Sequence, residues 1–339
     1  MSVKIFHHND ADGYVAAYQA YKYYEKSVSV TDIEFYEMDY SNRFPLELIE
    51  DNDTIVIVDY SIEPVEMISL LKITKDVVWI DHHITAIEKY ENWYDLIKEA
   101  TGIEKIKGLR YVGLAGCELT WLYFNGYITN DSDLEIEDAL YELELAPLYI
   151  QLTGDWDVWR HKIKYTKPFM IALSNILSME VVAELDKDAY DLVELKDVAP
   201  NKKVLALKTD LDSMIYLKNL IDTGNKYIEY RNHWSNQLRN RYGFEAEVIG
   251  PNNHIYNAYC LNVGNANSEF FGDKLQKYDI VISMCFNGTT WNYSMYSNKP
   301  NINCGELCKY LGVDNGGGHI GAAGFRHKDL LFRAPINNL

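Results

Sequence analysis

Three short apolar runs in the first hundred residues each end on a carboxylate or an imidazole. Val3 to Phe6 leads into His7, His8, Asn9, Asp10, Ala11, Asp12 and Gly13; Thr54 to Val58 leads into Asp59; Val77 to Ile80 leads into Asp81, His82 and His83. Runs this short and this rich in β-branched residues read as buried strands. Between them, Gly13 to Glu25 and Pro64 to Ile73 carry helical patterning, the second opened by a proline suited to a first helical turn. The alternation predicts an α/β fold on a parallel sheet covered by helices. In such a sheet the carboxyl ends of the strands share one edge, where ligands bind. Aspartates and histidines remote in sequence are therefore expected to converge there.

That convergence has a chemical consequence. Carboxylates a few ångströms apart repel and push one another's pKa values up unless a positive charge sits among them. Divalent cations resolve the conflict, and mixed carboxylate and imidazole ligands suit manganese, with magnesium or iron behind it, better than structural zinc. A shared carboxylate can bridge two ions about 3.5 to 4 Å apart, the spacing used for in-line displacement at phosphorus. Each element alone has an ordinary reading, since an Asp-x-Asp often caps a helix and paired histidines are often satisfied in a loop. Their coincidence at matching strand ends makes the case for a site.

Charge limits the partners. A formal net charge of -18 with a pI near 4.9 leaves little basic surface for long or duplex nucleic acid. A short phosphate-bearing ligand held through cations is compatible with it. The acids of Asp131 to Glu144 read as one solvated helical face. Hydrophobic residues at 47% and charged residues at 24% place the chain among folded globular proteins. No apolar run reaches the roughly 18 residues of a membrane span, and the start MSVKIFHHND has no signal-peptide pattern, so a cytoplasmic protein with no membrane partner is expected. Five scattered cysteines fit free thiols; Cys304 and Cys308 share one helical face, but two ligands do not make a metal site.

Farther along, Ala115 to Phe124, Glu135 to Leu152 and much of Leu205 to Tyr242 read as helical. Strand-like runs return at Phe244 to Ile249, Tyr256 to Val263 and Tyr278 to Cys285, followed by a helix over Cys304 to Leu311 and the stretch Asn315 to Phe325, NGGGHIGAAGF. The expected division is a catalytic domain over 1–185, a helical linker over 186–242 and a smaller mixed α/β domain over 243–339. Glycines 316 to 318 would let backbone N–H groups approach a phosphate, or would make a tight turn.

With these residues on the page the chain resembles the DHH phosphoesterase superfamily. The resemblance rests on His8-Asn9-Asp10-Ala11-Asp12-Gly13, on Asp59 in IVIVDYS, on Asp81-His82-His83 in VWIDHH and on Asp155 in LTGDWD. The second half resembles the DHH-associated C-terminal domain through NVGNANSEFFGDKL, YDIVISM and the glycine motif. It implies a parallel-sheet DHH domain with flanking helices, a helical linker, and a smaller C-terminal domain, with the active site in the cleft between them. It further implies one ion on His8, Asp10 and Asp59 and another on Asp12, Asp59, His82 and Asp155. Asp81 would orient His82, His83 would face the scissile phosphate, and Gly316, Gly317, Gly318 and His319 would hold the far end of the nucleotide. His7 matches no required position and is expected to be a satisfied loop residue. Related proteins commonly carry an arginine where this chain has Tyr296, and a tyrosine offers only stacking or one hydrogen bond.

The expected activity is that of a two-metal exonuclease, similar to nanoRNases, oligoribonucleases and RecJ exonucleases, that degrades short RNA to nucleoside 5′-monophosphates with two Mn2+ or Mg2+ ions. The alternatives are hydrolysis of linear or cyclic dinucleotides or of 3′-phosphoadenosine phosphate and, outside enzymes, an inactive nucleic-acid-binding scaffold. RNA versus DNA, cleavage direction and oligomeric state, a homodimer included, stay open at this level. Trp156 and Trp159 draw notice because they neighbour Asp155.

Overall fold

A computed structural model describes residues 2–194, 203–208, 210–264, 266–312 and 315–333. The parts of the expected linker at 195–202 and 209 lie outside the described residues. The chain divides into two compact units, Met1–Asn225 and Lys226–Leu339.

The first unit opens with β1 (Val3–His8), α1 (Ala11–Tyr24), β2 (Ile33–Met38), β3 (Thr54–Val58), α2 (Pro64–Ile73) and β4 (Val77–Ile80). The strands form an all-parallel sheet in the order β2-β1-β3-β4. Every residue of β3 and β4 is buried. Alternate residues feed two cores: Val3, Ile5, Val56, Val58, Val78 and Ile80 face one, and Phe6, Ile55, Ile57, Val77 and Trp79 face the other. Burial on both faces is why these strands read as continuous apolar runs. Each fully buried aliphatic side chain contributes roughly 1.5–3 kcal/mol, so these strands supply much of the driving force for the unit.

Strand β2 was not expected. It lies at the sheet edge, buries Ile33 and Met38, and leaves Glu34 and Glu37 exposed, so its apolar signal is diluted by solvent-facing acids.

After the sheet come α3 (Ile84–Glu91), α4 (Tyr94–Thr101), α5 (Gly116–Phe124), α6 (Ile136–Leu143), α7 (Leu148–Asp157), α8 (Thr166–Leu173) and α9 (Met179–Ala189). The single helix expected over Glu135 to Leu152 is thus two, divided before Pro147, the residue that caps α7 and lacks the N–H a continuous helix would need. Asp131 belongs to a separate 3-10 turn, Asp131–Asp133, and not to the face of α6; it accepts from the Arg110 backbone N–H at 2.8 Å and from its guanidinium at 2.7 Å. Strands β5 (Tyr190–Glu194) and β6 (Lys203–Leu207) pair antiparallel, so Leu205 belongs to a strand and the long helix, α10, runs only from Ile215 to Tyr242.

The second unit carries β7 (Gly243–Ile249), β8 (Ile255–Leu261), α11 (Lys274–Lys277), β9 (Ile280–Phe286), β10 (Trp291–Tyr296), α12 (Cys304–Gly312), β11 (Gly317–Gly318) and β12 (Ala322–His327). Its sheet, β11-β12-β10-β9-β8-β7, is mixed: β8 and β9 are parallel and the other pairs antiparallel. Cys304 and Cys308 are buried in the core beneath α12, which gives both thiols a packing role. Among the described residues no helix is long and apolar enough to cross a membrane.

Candidate active site

The strand order of the first sheet reverses beside β1, since β2 lies on one side of it and β3 and β4 on the other. Crossovers then diverge from the β1–β3 gap, which leaves a crevice at the carboxyl ends of those two strands. His7 pairs in register with Val58, and Val58 with Ile80, so the residues that follow stand in a row along that edge.

Asp59 is the centre. It leaves β3 at φ 53, a left-handed conformation that costs a non-glycine residue roughly 1–2 kcal/mol. It is 1% exposed, and neither carboxylate oxygen accepts a hydrogen bond. His82 Nε2 lies 3.1 Å from Asp59 Oδ1, 3.4 Å from Asp157 Oδ2 and 3.7 Å from Asp12 Oδ2. On the other flank His8 Nδ1 lies 2.7 Å from Asp10 Oδ2 and 4.0 Å from Asp59 Oδ2. Burial first, then the charges of Asp12, Asp10, Asp81 and Asp157, push the Asp59 carboxyl well above the ordinary carboxylate range. Asp157 is pushed up to about 8, again by burial before Asp12 and Asp10.

Local structure explains how so many acids are held together. Asp10 caps α1 by accepting from the Gly13 N–H at 3.0 Å. Asp12 receives the N–H groups of Gly116 and Cys117, at 2.7 and 2.8 Å, from the first turn of α5, where unpaired donors and the helix dipole favour an anion. Gly116 makes that approach sterically feasible: a Cβ there would stand 2.6 Å from Asp59 Cβ and 3.0 Å from Asp12 Oδ2. Sequence patterning had no signal for Gly116, because the need for a bare backbone arises from residues far away in the chain.

Three sets of side chains present ligand atoms within 4.8 Å of one another: His8, Asp10 and Asp59; Asp12, His82 and Asp157; and Asp59, His82 and His83. The structure thus brings together His8, Asp10, Asp12, Asp59, His82 and His83. It does not bring in Asp155, expected as a ligand. That carboxylate accepts from the backbone N–H groups of Lys162 at 2.8 Å and Ile163 at 3.1 Å and from the Thr166 hydroxyl. Burial alone would raise its pKa, but these three donors hold it below the usual range. Asp157, two residues on, takes the place in the cluster; the D-W-D spacing left either aspartate available, and only the end of α7 decides between them.

A second correction concerns Asp81. Its Oδ1 accepts from the His82 and His83 backbone N–H groups and from His83 Nδ1 at 2.7 Å, while Oδ2 takes the Ser61 hydroxyl. The ring it orients is therefore His83, not His82. That hydrogen bond raises the His83 pKa above the ordinary imidazole value against the opposing effect of burial. His7 is satisfied but sits within β1, not in a loop; it is 1% exposed, its Nδ1 lies 2.9 Å from the His8 carbonyl, and burial lowers its pKa.

Orphaned oxygens on a buried aspartate, ringed by carboxylates and imidazoles without thiolate, fit hard divalent cations such as Mn2+ or Mg2+.

In the second unit, Gly316 packs against α12, where a Cβ would meet the Cys308 carbonyl oxygen at 1.9 Å, and Gly318 turns at φ 141. Close backbone packing is thus sufficient reason for Gly316 and Gly318, whereas a Cβ at Gly317 would meet only Lys309 Cε at 3.9 Å. His319 is exposed, and its backbone N–H bonds the Ala322 carbonyl at 2.8 Å. The Tyr296 hydroxyl donates to the Ala266 carbonyl at 3.2 Å beside a cavity of about 560 Å³.

No curated protein sequence matches the chain. Among solved structures, an uncharacterized protein from Helicobacter pylori is 16% identical, with a TM-score of 0.38, over 99% of this chain and 95% of that one. A pGpG-specific phosphodiesterase from Vibrio cholerae is 12% identical, with a TM-score of 0.46, over 97% and 94%. RecJ in complex with Mn2+ from Thermus thermophilus is 14% identical, with a TM-score of 0.38, over 96% of this chain and 49% of that one. The family model that matches is the DHH family, N-terminal domain, over residues 2–147, a stretch that spans the sheet and most of the cluster.

Proposed function

We propose that the chain is a metal-dependent phosphodiesterase acting as an exonuclease on short RNA, releasing nucleoside 5′-monophosphates. The observation that carries the reading is Asp59, a buried carboxylate with two unused oxygens that belongs to two of the three sets of carboxylate and imidazole ligand atoms. Such a group is costly to bury alone and calls for cations. His8, Asp10 and Asp59 would hold one ion, and Asp12, His82 and Asp157 a second, with Asp59 shared. When bound, a divalent pair supplies charge neutralisation at the phosphoryl group and an activated water.

The chain's own groups do the rest. The α5 N-terminus fixes Asp12, and Asp81 holds the His83 ring through Nδ1 and favours its imidazolium form, in which Nε2 would donate to a phosphate oxygen. Gly316, Gly317, Gly318 and His319 are assigned to holding the substrate end remote from the ions. The net charge of -18 favours short substrates, because long strands need a basic track.

The test is a panel of labelled oligonucleotides from dinucleotide to 30-mer, with dinucleotide signals and 3′-phosphoadenosine phosphate alongside, scored for monophosphate release with manganese and with chelator. Two- to five-nucleotide RNA is expected to turn over fastest. Equal or faster turnover of the 30-mer would remove the length preference, and no metal-dependent release from any substrate would remove the activity.

A further inference from the structure

We propose that the cavity beside the acidic cluster in the first unit receives the nucleoside that keeps the scissile phosphate on its 5′ oxygen, with the Trp156 ring as its stacking face. This rests on the phosphodiesterase reading and adds to it a place for one part of the substrate.

The cavity has a volume of about 310 Å³, and Asp10, Asp12 and Asp157 of the cluster form part of its wall. Trp156, Met170 and Leu177, from α7, α8 and the turn after it, form the apolar part. A phosphate held at the carboxylate wall through cations would direct its attached sugar and base toward the apolar wall. Sites for small molecules begin at roughly 300 Å³, so the space suits one nucleoside and not an oligomer. Among the described residues no lysine or arginine lines it, which disfavours a second anion there, and Asn9 and Ser174 bring side chains able to pair with a sugar or a base edge.

The surroundings of Trp156 point the same way. Trp159 is 79% exposed and sits at φ 55, and its ring lies nearly parallel to that of Trp156, at 19° with centroids 6.4 Å apart. His161, at φ 48, sets its ring edge-on to both. Two non-glycine residues of one turn in the left-handed region, holding an indole in solvent, represent strain that the surrounding contacts must maintain. Asp155 supplies those contacts: its carbonyl accepts from the Arg160 and His161 N–H groups, at 3.0 and 3.1 Å, and its carboxylate from those of Lys162 and Ile163. The aspartate that does not reach the cluster is therefore the positioning residue for the aromatic ledge next to it. Stacking on such a face accepts any base.

In the reaction, water adds to phosphorus, the bond from phosphorus to the departing oxygen breaks, and that oxygen leaves with a proton or as a stable anion. The retained nucleoside stays in the cavity throughout. Thymidine 5′-(p-nitrophenyl phosphate) and methyl p-nitrophenyl phosphate share a leaving group and differ only in the retained part. With manganese, the parent protein is expected to favour the thymidine ester by at least about tenfold in kcat/KM. Trp156→Ala should cut that ratio about tenfold, chiefly through KM, and Trp156→Phe should restore most of it. Should Trp156→Ala fold poorly by circular dichroism, Ser174→Trp, placed to fill the cavity from its exposed rim, should produce the same loss. Calorimetry provides a readout apart from turnover: thymidine 5′-monophosphate should bind more tightly than deoxyribose 5-phosphate, and Trp156→Ala should erase the difference. A parent ratio near one, or a ratio unmoved by both substitutions, overturns the nucleoside cavity while leaving the phosphodiesterase standing. Absence of manganese-dependent hydrolysis of both esters overturns the phosphodiesterase reading, and the cavity assignment falls with it.

Discussion

Strand β3 has an aspartate at each end, and the two are opposites. Asp53, just before the strand, is 2% exposed and fully partnered: it accepts from the Lys4 ammonium, from the Ser2 hydroxyl at 2.7 Å and from the Glu50 N–H at 2.9 Å. Asp59, just after it, is 1% exposed and has no hydrogen bond to either oxygen. Burial tends to raise both, yet Lys4 and its companions bring Asp53 down to about 2, whereas four neighbouring acids push Asp59 far up. One end of the strand is built for stability and the other gathers unfavourable acidic groups, as functional sites commonly do.

The sharpest way to break this comparison is to neutralise each aspartate. Asp59→Asn should lower metal-dependent hydrolysis by about a thousandfold or more, roughly 4 kcal/mol in the barrier, while the metal-free protein melts at the same or a higher temperature because the cost of burying an unpartnered acid among other acids is gone. A lower melting temperature would mean that Asp59 is a structural anion like Asp53. Asp53→Ala should do the reverse, costing about 3–4 kcal/mol of stability in urea denaturation because it strands the buried Lys4 ammonium.

Manganese should act only on the Asp59 end. At a concentration about a hundredfold above its dissociation constant it should add about 2.7 kcal/mol to the stability of the parent and almost none to Asp59→Asn. An equal gain in both would place the ion elsewhere. Acid should act on the other end. The folded pKa of Asp53 is depressed from the ordinary 3.8 to about 2, so its contribution is fully present above about pH 4 to 5 and is lost as pH falls through about 2. In chelator, the difference in stability between the parent and Asp53→Asn should therefore shrink over that window by about 2 kcal/mol. A difference that held constant down to pH 2 would contradict the depressed pKa.

The smallest effect separates the two aspartates of α7. Asp157→Asn should weaken manganese binding about tenfold or more with little loss of stability, whereas Asp155→Asn should cost about 1–2 kcal/mol of stability and leave manganese affinity within about threefold. Calorimetric titration of manganese into both variants checks the pair, and a larger affinity loss in Asp155→Asn would return that residue to the ligand set.

Much of this was legible in the residues themselves. Strands β3 and β4 and helix α2 have the limits read from the sequence, because strands buried on both faces leave uninterrupted apolar runs and a proline marks the start of the helix. Strand β2 was missed because the exposed Glu34 and Glu37 of this edge strand interrupt its apolar pattern. The set His8, Asp10, Asp12, Asp59, His82 and His83 was legible because each follows a recognisable strand and parallel strands end on one side.

The sequence by itself determined which chemical groups would stand at the carboxyl edge of the first sheet, since strand period and strand end are local properties of the chain. Tertiary structure alone decided how those groups are used: that Asp157 and not Asp155 enters the cluster, that Asp81 holds His83, and that Gly116 must lack a side chain. The choice of His83 is made within two residues, by the conformation of the turn after β4, whereas the entry of Asp157 and the need for Gly116 depend on where a helix end arrives against a distant strand. The contacts of Asp12 with Gly116 and Cys117 join residues about a hundred positions apart, and no local pattern records them.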